Sequence, residues 1–245
     1  MKKLKTIPGR FASLMLTICI FASFGGVSAQ AKAASDPFYG FDVKLYNSET
    51  DLGTSSVNAI VQSSDGYIWL GTYMGLYRYD GTRFSLFGAE NGIVSVRALY
   101  IDKRGNMWIG TNESSVYCYT AQHEFVSYGS EKGLSEKSIR CFTEDENGNI
   151  FVGTAGLSYF ISLEDGVSIV QFDSDITYIT SAAASEDGTI MAVTNSGVLA
   201  AYRDGKCLRS ETAIDGSAFD SINYVGNGVF LAGTERFRVY ECSVD

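Results

Sequence analysis

The sequence predicts an all-β protein, a β-propeller of about five four-stranded blades with a repeat of about 40 residues, and three observations carry that prediction. A threonine recurs at Thr72, Thr111, Thr154, Thr194 and Thr234, in steps of 39, 43, 40 and 40 residues. Fixed columns accompany it. Six residues earlier stands a glycine (Gly66, Gly105, Gly148, Gly188, Gly228), and three residues earlier a large apolar residue (Trp69, Trp108, Phe151, Met191, Leu231). No stretch of about 10–15 residues shows helical periodicity, which argues against parallel βαβ architectures.

The first repeat shows why each unit reads as four strands. Val57 to Gln62 is the inner strand, and Asp65-Gly66 is a tight-turn signal because glycine accepts the positive φ of a short hairpin. Tyr67 to Thr72 is aromatic and β-branched, as a strand prefers. Gly75 turns the chain into Leu76–Tyr79, and Arg83–Phe87 is the outer strand, matched by 124–128 and 167–172 in the next two repeats. The inner-strand column reads Val57, Val96, Ile139, Ile179 and Ile222, the last three residues closer to its threonine, which predicts a shorter fifth hairpin. Ahead of the repeats, Phe41 to Tyr46 alternates apolar and polar like an outer strand. It is expected to complete a blade elsewhere in the ring and hide a sheet edge. Blades are thus expected near 52–92, 93–133, 134–176, 177–218 and 219–245, with 41–46 as a closing outer strand.

Composition narrows the class. The chain has 245 residues, 45% of them hydrophobic, enough for one sizeable core. Lys2, Lys3, Lys5 and Arg10 precede an apolar run from Phe11 to Phe24, and Val27-Ser28-Ala29 offers the small residues of a cleavage site. Residues 1–29 therefore read as a signal peptide cut before Gln30, with residues 30–40 a polar leader. An uncleaved anchor is the lesser alternative, and a lipidated Cys19 is weaker still because Ile18 is too large to precede it. The net charge is −9; without residues 1–29 there are 15 basic and 28 acidic residues, −13. No basic patch is present, so nucleic acid is not an expected partner, and an anionic membrane surface is disfavoured. Cys118, Cys141, Cys207 and Cys242 show no metal spacing and read as buried thiols. The exported location permits a disulfide, but no pairing follows from the sequence.

The run Ser56-Val57-Asn58-Ala59-Ile60, then Asp65 to Thr72 and Gly75 to Gly81, resembles the two-component-regulator propeller repeat. Gly105 to Thr111 and Gly148 to Thr154 keep the pattern; it is strong over residues 52–160 and degenerate over 161–245, where Val193 replaces a glycine. The resemblance implies an extracytoplasmic sensor propeller that precedes a membrane helix and a cytoplasmic output module, often with seven blades per ring. With five repeats here, either 41–46 closes a five-bladed ring or the chain is part of a longer sensor; the second reading is favoured. A homodimer through a longer parent chain is a further expectation.

Catalytic candidates are few. The single histidine, His123, falls in a turn, and no nucleophile motif accompanies it, so no catalytic residue and no cofactor is expected. Asp145 to Asn149 mimics half of a calcium loop, but the twelfth position is Gly156 rather than a bidentate glutamate, so a hairpin turn is the better reading and no metal is expected. Trp69 and Trp108 share a column with Phe151, Met191 and Leu231, which points to packing between blades rather than sugar stacking. The informative positions are those that vary. One residue into each inner strand stand Asn58, Arg97, Arg140, Thr180 and Asn223, a polar ring beside loops that carry Tyr73 and Asn112. Cations near the axis of an acidic protein need a carboxylate partner or a ligand. The expected ligand-binding set is Asn58, Tyr73, Arg97, Asn112 and Arg140, taking a polar small molecule or an oligosaccharide. A secreted propeller enzyme acting on polysaccharide, and a protein-interaction propeller, are the alternatives.

Overall fold

The computed structural model describes residues 42–244 except 114, 135–137, 163–165, 171–175, 205 and 214–215. The signal segment and polar leader lie outside the described residues. Of the first of two compact units, Met1–Leu45, only residues 42–45 are described, and they form no strand. The second unit, Tyr46–Asp245, holds five antiparallel sheets in sequence order. Blade 1 contains β1 (Ala59–Gln62), β2 (Ile68–Thr72), β3 (Gly75–Tyr79) and β4 (Phe84–Phe87). Blade 2 contains β5 (Val96–Ile101), β6 (Met107–Thr111), β7 (Val116–Tyr119) and β8 (Phe125–Tyr128). Blade 3 is built of β9 (Ile139–Glu144), β10 (Ile150–Thr154), β11 (Ser158–Ser162) and β12 (Gly166–Val170). Blade 4 has β13 (Ile179–Ala184), β14 (Ile190–Thr194), β15 (Val198–Arg203) and β16 (Lys206–Thr212). Blade 5 has three strands, β17 (Phe219–Gly226), β18 (Val229–Thr234) and β19 (Val239–Ser243). The inner strands β1, β5, β9, β13 and β17 pack on one another in succession, and the series of sheets is not closed among the described residues.

The repeat columns are packing devices. Trp69 and Trp108 are buried, and the indole N–H of Trp108 donates to Asp102 Oδ2 at 2.9 Å. The glycine next to the repeated threonine admits the following blade. A Cβ on Gly110 would lie 2.5 Å from Ile139 Cγ2, and one on Gly71 would lie 2.7 Å from Val96 Cγ1. In blade 4 the column holds Val193 instead, buried in one cluster with Phe219 and Ile222. Blade 5 returns to Gly233, where such a Cβ meets, among the described residues, only Ser221 Oγ of its own sheet, at 3.0 Å.

The stretch leading into each blade repeats as well. Phe87, at the end of β4, packs on Tyr119 and Phe125 of blade 2, and six residues later Ile93 is buried. Tyr46 packs in the same way on Tyr79 and Phe84 of blade 1, and six residues later Leu52 is buried. The expected strand does not form among the described residues: 42–46 carry no strand and join no sheet. β19 has no fourth strand beside it among the described residues, and a cleft of about 410 Å³ opens between it and β16, floored by Met191, Leu199, Phe219 and Tyr240. Phe125 of the fourth strand fills the corresponding place between blades 1 and 2.

A second correction concerns blade 5. Phe219, not Ile222, pairs with Thr234, as Val96 pairs with Thr111 and Ile139 with Thr154. The fifth hairpin keeps the common spacing; the buried isoleucine at 222 imitates the β-branched column while an aromatic residue occupies it. The residue one step into the inner strand is consequently Asp220, and Asn223 lies further along, opposite Leu231.

Candidate functional site

The two ends of the blades are built differently. At one end lie the β1–β2 type hairpin turns. At the other, the loop face, the inner strands begin beside the loops that join second and third strands. On the loop face one local irregularity recurs. Pairing slips by one residue between Val96 and Ala98, between Ile179 and Ser181, and between Phe219 and Ser221, and Ile139 and Cys141 flank the same slip in blade 3. Arg97, Arg140, Thr180 and Asp220 are the extra residues, each a β-bulge that turns one side chain per blade out of the ladder. Backbone conformation sets the bulge up: Ser95, Ser138 and Tyr178, two residues earlier, hold φ values of 50°, 58° and 58°. Non-glycine residues in this left-handed region are uncommon and cluster at functional sites.

Backbone and side chains around the bulges are held tightly. The N–H after the repeated threonine reaches the residue before the inner strand of its own blade: Asn112 N–H donates to Ser95 O at 3.0 Å, Ala155 N–H to Ser138 O at 3.2 Å, and Asn195 N–H to Tyr178 O at 3.3 Å. Asn112 goes further. Its amide donates to Ser95 Oγ at 2.9 Å and accepts from Ser138 Oγ at 3.1 Å. Its carbonyl also accepts from Ser138 N–H at 3.3 Å. It thereby joins the residues just ahead of Val96-Arg97 and Ile139-Arg140.

The five expected site residues separate into two roles. Asn58 donates to Val96 O of the next blade at 2.8 Å, and Thr180 donates to Phe219 O at 2.8 Å in the same manner, so both fasten one inner strand to the next. Asn112 is likewise engaged by serines. Arg97, Arg140 and Tyr73 remain. Arg97 Nη1 donates to Tyr73 Oη at 2.5 Å, with its guanidinium carbon 5.8 Å from the ring centre. Arg140 Nη2 donates to the hydroxyl of Tyr178, and its guanidinium carbon lies 4.6 Å over that ring, a cation–π contact. Arg140 Nε is buried without an acceptor. Among the described residues neither arginine forms an ion pair; those present are Arg203–Asp187 and Arg209–Glu211. Tyr178 and Asp220 were not legible as members of this ring. Tyr178 precedes its strand where blades 1, 2 and 3 show serines, and Asp220 was hidden by the shifted alignment.

Elsewhere, chemistry is structural. His123 sits in the β7–β8 turn, at the opposite end from Arg97 and Arg140, with Nδ1 3.0 Å from Tyr119 Oη. Asp145 accepts from Asn147 N–H at 2.9 Å and from Asn149 N–H at 2.8 Å, closing a hairpin turn, and no cluster of metal-ligating side chains occurs among the described residues. Burial pushes the Cys118 and Cys141 thiols up to about 12.

These features define a β-propeller of repeated four-stranded blades. Residues 51–74, 91–113 and 133–156 match the family described as two component regulator propeller, so the chain carries that family's repeat in blades 1, 2 and 3. None of the curated proteins matches it. Among solved structures it resembles the extracellular domain of a hybrid two component system from B. thetaiotaomicron, with a TM-score of 0.66 and 20% identity over 84% of this chain. That alignment spans only 30% of the neighbour's length. A streptogramin B lyase superposes with a TM-score of 0.61 at 15% identity, over 77% of this chain and 68% of its own. A virginiamycin B lyase from Staphylococcus aureus, solved with quinupristin, superposes with a TM-score of 0.60 at 16% identity, over 82% and 73%. At these identities the shared property is the fold.

Proposed function

We propose that this chain is the extracytoplasmic ligand-sensing propeller of a bacterial-type signal-transduction protein, and that it takes a polar small molecule or oligosaccharide on its loop face. The observation that carries this reading is the pair of bulge arginines, Arg97 and Arg140, held by tyrosine hydroxyls and, among the described residues, by no carboxylate. The repeat family, the extracellular neighbour and the basic-then-apolar start of the chain support the setting. Ligand capture between adjacent blades would shift their packing, or the geometry of a dimer in a longer parent chain, and so pass downstream. The test is a melting screen of oligosaccharides and organic acids on the wild type and on Arg97→Gln and Arg140→Gln. A ligand at about 100 times its Kd stabilises by roughly 2.7 kcal/mol, which for a domain of this size is a shift of about 5–10 °C. A ligand that shifts all three proteins equally places the site elsewhere. Cleavage of the signal segment is checked by N-terminal sequencing of secreted protein, expected to begin near Gln30; a start at Met1 with membrane retention overturns the cleavage and favours an N-terminal anchor.

The lyase likeness supports a second reading, a secreted propeller enzyme. Turnover of a polysaccharide by the purified chain would establish it.

A further inference from the structure

We propose that Arg97 and Arg140 form an anion clamp, so that the ligand on the loop face carries a carboxylate, sulfate or phosphate group rather than only neutral hydroxyls. This rests on the sensor reading above and names the chemistry of its ligand.

The hydrogen-bonding inventory of the site decides the class. A guanidinium has five N–H donors and no acceptor. Each arginine has one N–H engaged by a tyrosine hydroxyl, a neutral partner that leaves the cation uncompensated. The hydroxyls of Tyr73 and Tyr178, while accepting from arginine, keep their own protons to donate. The groups that offer both donor and acceptor are already committed: the Asn58 amide donates to Val96 O, and both ends of the Asn112 amide are held by Ser95 and Ser138. Among the described residues no carboxylate ion-pairs with either arginine, and Glu113, Asp220 and Glu235 on this face are exposed. What Arg97, Arg140 and their two tyrosines themselves offer is a set of donors with two positive charges. A sugar hydroxyl must donate as well as accept, so a neutral saccharide leaves its protons unmatched against the two guanidinium groups, which have no acceptor. A carboxylate or sulfate accepts only, and it pairs with a guanidinium through two parallel charge-assisted bonds.

Two further observations fit. Arg140 Nε is out of water with no acceptor, a state rare for a buried donor and costly unless a partner arrives. The two arginine-bearing strands also start from backbones locked by the Ser95–Asn112–Ser138 bridge and by left-handed serines. Such a preorganised pair loses little freedom when an anion binds.

The experiment is an NMR titration of the arginine Nε–H signals of the full chain, assigned with Arg97→Lys and Arg140→Lys. The probes are inorganic sulfate, digalacturonate and the dimethyl ester of digalacturonate, which keeps the shape and removes the charge. The expected result is saturable movement of the Arg97 and Arg140 signals with sulfate and with digalacturonate. Digalacturonate should bind at least about tenfold tighter than its ester, more weakly as salt rises, and at least about tenfold more weakly to Arg97→Gln or Arg140→Gln. If the ester moves the same two signals at the same concentrations, the site binds polar ligands but the anion clamp is wrong. If none of the three probes moves either signal, both the clamp and the arginine site fall. If every arginine moves alike, the response is general ionic screening and the clamp is again overturned.

Discussion

The two ends of the blades use charge in opposite ways. At the turn end, polar side chains reach into the neighbouring blade. Lys103 N–H donates to Glu144 Oε2 at 3.0 Å, Arg104 covers Gly148, Glu146 covers Gly188, and Tyr224 donates to Glu186. Within blade 2, Asp102 gathers the Asn106 backbone and side-chain N–H groups and the Trp108 indole, at 2.8–2.9 Å. At the loop end, cohesion is left to backbone bonds and to Asn58, Asn112 and Thr180, while two arginines keep most of their donors unmatched. A fold that ties one end together with its charges can leave the other end's charges for a ligand.

That contrast is open to being broken, and the largest expected effect is at the turn end. Trp108→Ala removes a fully buried ring and leaves Asp102 short of a donor. A cost of about 3–5 kcal/mol is expected, read as a loss of melting temperature and denaturation midpoint. A variant that melts like the wild type yet no longer binds ligand would move Trp108 into the site.

Next in size is a binding effect without a stability effect. Arg140→Gln should lower affinity for the loop-face ligand by about tenfold or more while changing stability by less than about 0.5 kcal/mol. Calorimetric titration and a melting curve on the same sample check both halves. If stability falls by more than 1 kcal/mol (about one hydrogen bond), Arg140 belongs with the cohesive residues and the distinction between the two ends fails.

Asn58→Ala should do the reverse. It removes the bond to Val96 O that fastens blade 1 to blade 2, at a cost of about 1 kcal/mol. Ligand affinity should fall less than for either arginine variant. A larger loss of binding than of stability would return Asn58 to the ligand-contacting set in which its position in the sequence first placed it.

What the sequence made legible follows from the same division. The fold was readable because the repeat columns mark packing: Trp108 inside the sheet stack, and Gly71 and Gly110 where the next inner strand presses in. Repeated contacts leave repeated residues. Arg97 and Arg140 stood out because they break an apolar strand with a charge. Asn58 and Asn112 looked like ligand contacts for the same reason, yet their amides bridge blades; an amide reads alike in sequence whether its partner is a carbonyl or a ligand. Tyr178 was missed because it replaces the serine that blades 1 to 3 place ahead of the inner strand. Asp220 was masked because Ile222 has the shape of the neighbouring column and Phe219 does not.

The smallest expected effect is an acid limb of stability assigned to the turn end. Asp187, in the β13–β14 turn, is held down to about 2 by the Ser185 hydroxyl and by Thr189, with Arg203 adding a favourable charge. Asp80, in the β3–β4 turn, is held down to about 2 by the backbone N–H groups of Arg83 and Thr82 and by the Thr82 hydroxyl. A free aspartate titrates near pH 4, roughly. Both groups are therefore depressed in the folded state. Their contribution is present above about pH 4 and is lost as pH falls toward about pH 2, where the folded carboxylates take up protons. The size is small because the Asp187 side chain is 58% exposed and solvent screens its pair with Arg203; under about 1 kcal/mol is expected for it. Melting curves from pH 5 to 2 (a range of roughly three units about the free value) should show the wild type losing more than Asp187→Asn. Equal slopes would mean that the carboxylate gains nothing in the folded turn. The same substitution should leave ligand affinity at pH 7 unchanged, since the turn end lies away from Arg97 and Arg140; a change there would show that the two ends are coupled through the blade.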